Sequence, residues 1–449
     1  MSSLTLRCFA GNREIDDNVA YCHDRCRYKA VDDFLELFLG ALFRPRLGTN
    51  ECNLAAMTVG KYPTGTKKKI SDENCGVAHM LKREIEQAVE QSAQRLLKVA
   101  VPPVKFWILT YVLGKGIEDH DVQKALQATK NYGPRVKLLD KLREDGTWPI
   151  PRQKKALEDA GPGPPYGWTY VTMLRNLYWL IEYCADSDEG YIEESLDRIL
   201  SWQDEEGFIR GPQNDTIPRP HYSGLALAVL RGFGRKRTDS GVSRIADWLF
   251  RTQRRDGGWN IPYIQDMRYS PEYKHMRGRE FSELVRQGMT IEYVPENYSH
   301  IPSCYWTTVG VLRGLAWIPG HKRASDARRA GNFVLNGFFK KNYHAGFYQS
   351  ETHWSFLKFP TYYGSGLTAI DSLIYLGFGP NDPRMEKPLR WLLNARAKDG
   401  FWYQTERPHA LNDQWLTVVA LCVLSFYSKD TEKWAMKESE GPLYQLKTL

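Results

Sequence analysis

Residues 248–259 read Trp248-Leu249-Phe250-Arg251-Thr252-Gln253-Arg254-Arg255-Asp256-Gly257-Gly258-Trp259: the end of an apolar-periodic helix, a polar turn, a glycine, then an aromatic. The same order returns elsewhere. It closes as Glu144-Asp145-Gly146-Thr147-Trp148, Asp204-Glu205-Glu206-Gly207-Phe208, His344-Ala345-Gly346-Phe347-Tyr348 and Lys398-Asp399-Gly400-Phe401-Trp402. The glycines recur about every 50 to 60 residues, with one longer step between Gly257 and Gly346. A glycine behind an acidic residue suits a left-handed helix C-cap, and the aromatic after it is expected to pack against the next unit's turn.

Working outward, each turn is followed by a loop and a second helix that is apolar on nearly all sides. These helices are expected at Trp168 to Tyr183, Tyr222 to Phe233, Cys304 to Trp317, Tyr363 to Phe378 and Trp415 to Tyr427. A helix without a polar face must be buried. The preceding helices are amphipathic, as in Ser243 to Arg255, where Ile245, Trp248 and Leu249 alternate with Arg and Asp. Each unit is therefore one outer and one inner helix. A sixth pair, Pro103 to Leu113 with Val122 to Leu142, would close a ring. The long step holds an insertion, Ile264 to His300, rich in Arg, Tyr, Glu and His, expected at one rim between an outer and an inner helix.

The segment Gln253 to Trp259 resembles the glutamine-tryptophan repeat shared by squalene and oxidosqualene cyclases and the beta subunits of protein prenyltransferases. The resemblance spans roughly Pro103 to Tyr427. It implies an all-α fold, an α/α toroid of about five to six helix pairs, and a hydrophobic or isoprenoid-like small-molecule ligand in a central aromatic cavity. The chemistry of the family is a separate matter, because one scaffold carries many reactions. The cyclases of that group use an Asp-x-Asp-Asp run that is lacking here. The nearest stretches, Asp119-His120-Asp121 and Asp186-Ser187-Asp188, lie in polar turns expected at the surface. The prenyltransferases hold zinc with an Asp, a Cys two residues later and a His. Cys304 stands in the Cys place, but Pro302 precedes it and Asn412-Asp413-Gln414-Trp415 contains no His.

The first turns of the inner helices, and the loops leading into them, would line the cavity. Tyr166, Trp168, Tyr222, Cys304, Tyr305, Trp306, Tyr362, Tyr363 and Trp415 are the candidate substrate-binding residues. Aromatic faces there suit a carbocation, an isoprenoid tail or a sugar ring, and equally an ordinary packed centre. Asp413 and His221, beside inner-helix starts, and Asp371, within an inner helix, are the candidate general acids or bases. Asp413 also reads as an N-cap ahead of the run from Trp415. Asp371 must be paired, hydrogen-bonded or facing a polar cavity.

Composition bounds the rest. An apolar share of 42% with 14 Trp and 25 Tyr requires a large core or a large aromatic cavity. No window reaches the roughly 18 uninterrupted apolar residues of a membrane helix, and Met1 to Ile15 lacks the order of a secretory signal, so a cytoplasmic protein is expected. The net charge of +8 is modest for this length, and its scattered clusters accompany no nucleic-acid motif. Residues 1–79 are read as an N-terminal extension and residues 80–449 as the toroid, beginning with an amphipathic helix from Met80 to Val99. Cys8, Cys22, Cys26, Cys52 and Cys75 crowd that extension, where Cys22-His23-Asp24-Arg25-Cys26 offers soft ligands for a structural zinc but matches no standard module. Free thiols are the other reading, and the sequence leaves any cofactor of the toroid unknown. Three functions stay open: an isoprenoid-binding protein with or without catalysis, a scaffold presenting rim loops, and a carbohydrate-active toroid.

Overall fold

The computed structural model describes residues 72–150, 167–210, 217–262, 294–318, 324–344, 350–357, 365–379, 382–404 and 410–428, with isolated positions between. The cysteine-rich stretch 1–71 lies outside the described residues, as does most of the insertion. The described residues are all-helical, with a lone bridge between Gln203 and Ile209 in place of any strand. No helix among them is long and apolar enough to cross a membrane.

Six helices form the inner set. They are α2 (Pro102–Trp107, continued by a π-helical turn Ile108–Val112), α5 (Gly167–Glu182), α7 (Pro220–Gly232), α9 (Tyr305–Leu315), α12 (Gly366–Tyr375) and α14 (Ala410–Ser428). The outer set is α1 (Asp72–Val99), α3 (His120–Lys130) with α4 (Gly133–Leu139), α6 (Ile192–Ser201), α8 (Ser240–Arg251), α10 (Ala324–Asn336) and α13 (Glu386–Asn394). A short α11 (Glu351–Trp354) packs on α12. Burial follows the sequence pattern: every residue of α7 is buried, whereas α8 buries Val242, Ile245, Trp248 and Leu249 and exposes Arg244 and Asp247. The all-apolar helices thus find partners on all sides, and the amphipathic ones cover them.

Inner helices contact one another in the order α5, α7, α9, α12, α14, α2. Between the two ends of this order, Trp107 Nε1 of α2 donates to Glu182 O at the end of α5 (2.9 Å). Helix α1 packs on α13 and α14, so the first and last described helices are neighbours.

The repeated turn explains the spacing of the outer helices. In four copies a backbone N–H reaches the carbonyl four residues on: Arg143 to Thr147, Asp204 to Phe208, Arg254 to Gly258 and Ala397 to Phe401. The glycines inside have positive φ, +75° at Gly146, +110° at Gly207, +100° at Gly257 and +95° at Gly400. The expectation that these glycines cap the helices is corrected. α8 ends at Arg251 with Thr252 as its cap at φ −92°, and Gly257 belongs to the turn beyond. Of the aromatics after the glycine, Phe208 packs 5.3 Å from Trp248 of the next outer helix, and the tryptophans add a hydrogen bond to their own unit. Trp148, Trp259 and Trp402 each donate Nε1 to a carbonyl ten residues earlier, Leu138, Leu249 and Leu392, at 2.8 Å. Those carbonyls lie in the last turn of their own outer helix, where no intrahelical donor remains. Glutamine also links two of the turns to the next unit. Gln203 Nε2 donates to Gly207 O and to Gly241 O of α8, and Gln253 Nε2 to Gly257 O and to Asp326 O of α10.

Three element boundaries differ from the sequence reading. α1 starts at Asp72, not Met80, because the polar residues ahead of Met80 continue the helix. The expected helix Val122 to Leu142 is two, broken before Gly133-Pro134, since Pro134 lacks the N–H an uninterrupted helix requires. α14 begins at Ala410, which places Asp413 inside its first turn and not at its cap.

Candidate functional site

Close approach of α7 and α9 creates the site. A Cβ on Gly224 would meet Gly310 O at 2.6 Å, and one on Gly310 would meet His221 Cβ at 2.7 Å. The absence of side chains there lets the first turns of the two helices touch, and His221 comes to lie with its ring centre 5.2 Å from Trp306. His221 also sits 4.2 Å from Tyr222, Tyr222 5.7 Å edge-on from Tyr170 of α5, and Tyr170 5.2 Å from Trp202 at the end of α6. Five rings from four helices form a continuous ladder. Tyr170, His221 and Tyr222 are buried; Trp306 at one end and Trp202 at the other are part-exposed.

Burial sets the protonation of the ladder. Desolvation first, and then the Arg219 guanidinium, push His221 down to about 3, so its imidazole is neutral at ordinary pH. Desolvation, helped by Tyr222 and Tyr178, drives the Tyr170 phenol well above its usual range, so it stays protonated.

A second group lies deeper. Arg313 of α9 is 1% exposed, and desolvation lowers its guanidinium pKa. Tyr178, Asp371, Tyr348 and Glu182 are near enough to pull it the other way. Asp371, buried in α12, therefore has the cationic neighbour its position demands. The phenols are tied down: Tyr178 Oη donates to Leu225 O and Tyr348 Oη to Ser365 O, both at 3.0 Å.

The other expected residues are placed separately. Cys304 is the buried N-cap of α9, its Sγ accepting from Asn342 Nδ2 at 3.3 Å. Tyr305 turns toward the outer layer, 5.0 Å from Phe333 and 5.7 Å from Trp354. Trp415 packs 5.8 Å from Trp179 and 6.1 Å from Tyr183. Tyr166, Tyr362 and Tyr363 lie outside the described residues, as do the side chains of Trp168 and Asp413. Among the described residues no group of three or more His, Cys, Asp or Glu side chains is placed to hold a metal ion. Asp119 accepts from the backbone N–H groups of Asp121 and Val122 as the cap of α3, and both acids pair with Lys115 in a surface turn. Residues the sequence did not single out are Tyr170, Trp202 and Arg313. Only Trp202 carried a signal, as the aromatic ahead of a repeat turn.

The insertion is anchored beside the start of α9. Arg254 Nη1 pairs with the fully buried Asp266 at 3.0 Å, while Nη2 donates to Tyr298 O and Ile301 O. Gln265 Oε1 accepts from Ile261 N and from Thr307 Oγ1.

Among known proteins, no family model matches the chain and no curated protein matches it significantly.

Proposed function

We propose that the chain is an α/α toroid of the terpenoid-cyclase and prenyltransferase type that binds a hydrophobic, isoprenoid-like small molecule against the aromatic ladder. The ladder carries the reading: rings from α5, α6, α7 and α9 meet at inner-helix starts, where a toroid keeps its ligand. The order of inner-helix contacts, the Trp107–Glu182 hydrogen bond between its two ends and the glutamine bridges between units support the ring architecture. Aromatic faces with a neutral imidazole among them suit an apolar guest better than a highly charged one. With its pKa near 3, His221 is a poor proton acceptor at neutral pH, and we assign it the role of a binding ring.

Native mass spectrometry of the purified full chain tests the reading. A bound species with the mass of an isoprenoid or lipid is expected. A ligand-free chain that takes up none of a panel of isoprenoids would favour the scaffold reading.

A further inference from the structure

Resting on that reading, we infer that the polar end of the ligand is an uncharged oxygen, an alcohol, ether or ketone, that accepts a hydrogen bond from Tyr170 Oη. Tyr170 is 0% exposed, and its hydroxyl has no hydrogen-bond partner in the protein. That distinguishes it from Tyr178 and Tyr348, which are as deeply buried and donate to Leu225 O and Ser365 O. A buried hydroxyl left unmatched is costly, so such a group marks a place where a partner arrives from outside the chain.

The neighbours define the partner's chemistry. Tyr170 stands in the first turn of α5, flanked by Trp202 and Tyr222, with His221 and the part-exposed Trp306 continuing the ladder. The phenol keeps its proton and therefore donates; it needs an acceptor. Among the described residues, the groups that act on it are the rings of Trp202, Tyr222 and Tyr178, with no cation among them. Arg219 stands on the His221 side of the ladder, where its Nη1 is 3.4 Å from Ile217 O. A diphosphate would bring several charges to a desolvated phenol, and burying them without matching cations is unfavourable. A neutral oxygen on a hydrocarbon body fits both the donor and the walls.

The test is isothermal titration of the full chain and of Tyr170→Phe with farnesol, the hydrocarbon farnesene and farnesyl diphosphate. The wild-type chain is expected to bind farnesol about fivefold or more tighter than farnesene, and tighter than the diphosphate. Tyr170→Phe should erase that preference while binding farnesene as before, with helicity kept and a melting temperature equal or higher, since it removes an unmatched hydroxyl. A variant that retains the alcohol preference, or a wild-type chain that prefers the diphosphate, overturns the inference and leaves the proposed function standing. A variant that is merely more stable, with all three affinities unchanged, also overturns it and assigns the hydroxyl to a buried water. Failure of all three compounds to bind the wild-type chain overturns the proposed function, and this inference with it.

Discussion

At Gly257 the backbone φ is +100°, and a Cβ would stand 2.7 Å from Arg329 O of α10. Two penalties therefore fall on one substitution: left-handed strain and loss of the close contact between successive outer helices. Gly257→Val is expected to cost on the order of 1 to 3 kcal/mol from strain alone, read as a lower urea midpoint; an unchanged midpoint would show that the turn relaxes freely. His221 yields a second prediction at this scale. Its folded pKa of about 3 lies below the ordinary value of 6.5, so the unfolded chain binds the proton more readily. Its contribution is whole above pH 6.5 and is lost as pH falls toward 3. Between pH 7 and pH 5 this amounts to roughly 2 kcal/mol. His221→Gln should lose less stability over that interval than the wild-type chain, and equal losses would mean that the imidazole is not desolvated.

Among the elements, α1 joins the two ends of the described chain, and its contacts bear on the proposed ring. Arg198 of α6 donates to Asp145 O of the preceding turn, and Arg244 of α8 to Asp204 O and Glu205 O. Arg95 of α1 does the same to Asp399 O, in the last turn of the repeat, at 2.6 Å. Arg396 Nε in turn donates to Ser92 Oγ, and Val101 N–H to Gln414 Oε1. The first helix thus serves as the outer helix that follows the last unit. Arg95→Ala is expected to cost about 0.5 to 1.5 kcal/mol, similar to Arg244→Ala. Deleting residues 72–99 should do far more, because α14 would lose the cover on its apolar side and cooperative melting with it. A chain that starts at Ala100 and still melts in one sharp step would show that α14 does not depend on this cover and would count against the proposed ring.

Over the whole molecule, the pairing of outer and inner helices was legible because amphipathic and all-apolar runs alternate around a recurring glycine turn. The partners of the turn's glutamine and tryptophan were less so. That Trp259 turns back to Leu249 while Gln253 reaches forward to Asp326 depends on which carbonyls are left unsatisfied, and this emerges only in the assembled helices. The site was legible in part for a similar reason. His221, Tyr222 and Trp306 stand at inner-helix starts and were found by position. Tyr170 also stands near an inner-helix start but was passed over beside Trp168, and Arg313 lies within a run of buried residues, where periodicity cannot say which side chains face one another. Tyr305 and Trp306 are adjacent in sequence, yet one faces the outer layer and the other the ladder. Composition hides that difference.

Binding at the ladder is the claim on which the functional account stands, and Trp306 is its most accessible test on α9. Equilibrium titration of a neutral isoprenoid alcohol, followed by isothermal calorimetry on the full chain and on Trp306→Ala, measures it directly. Losing one stacked ring should weaken binding about tenfold or more while the helical signal stays unchanged. Equal affinities for the two proteins, with both bound, would place the ligand elsewhere and contradict the account.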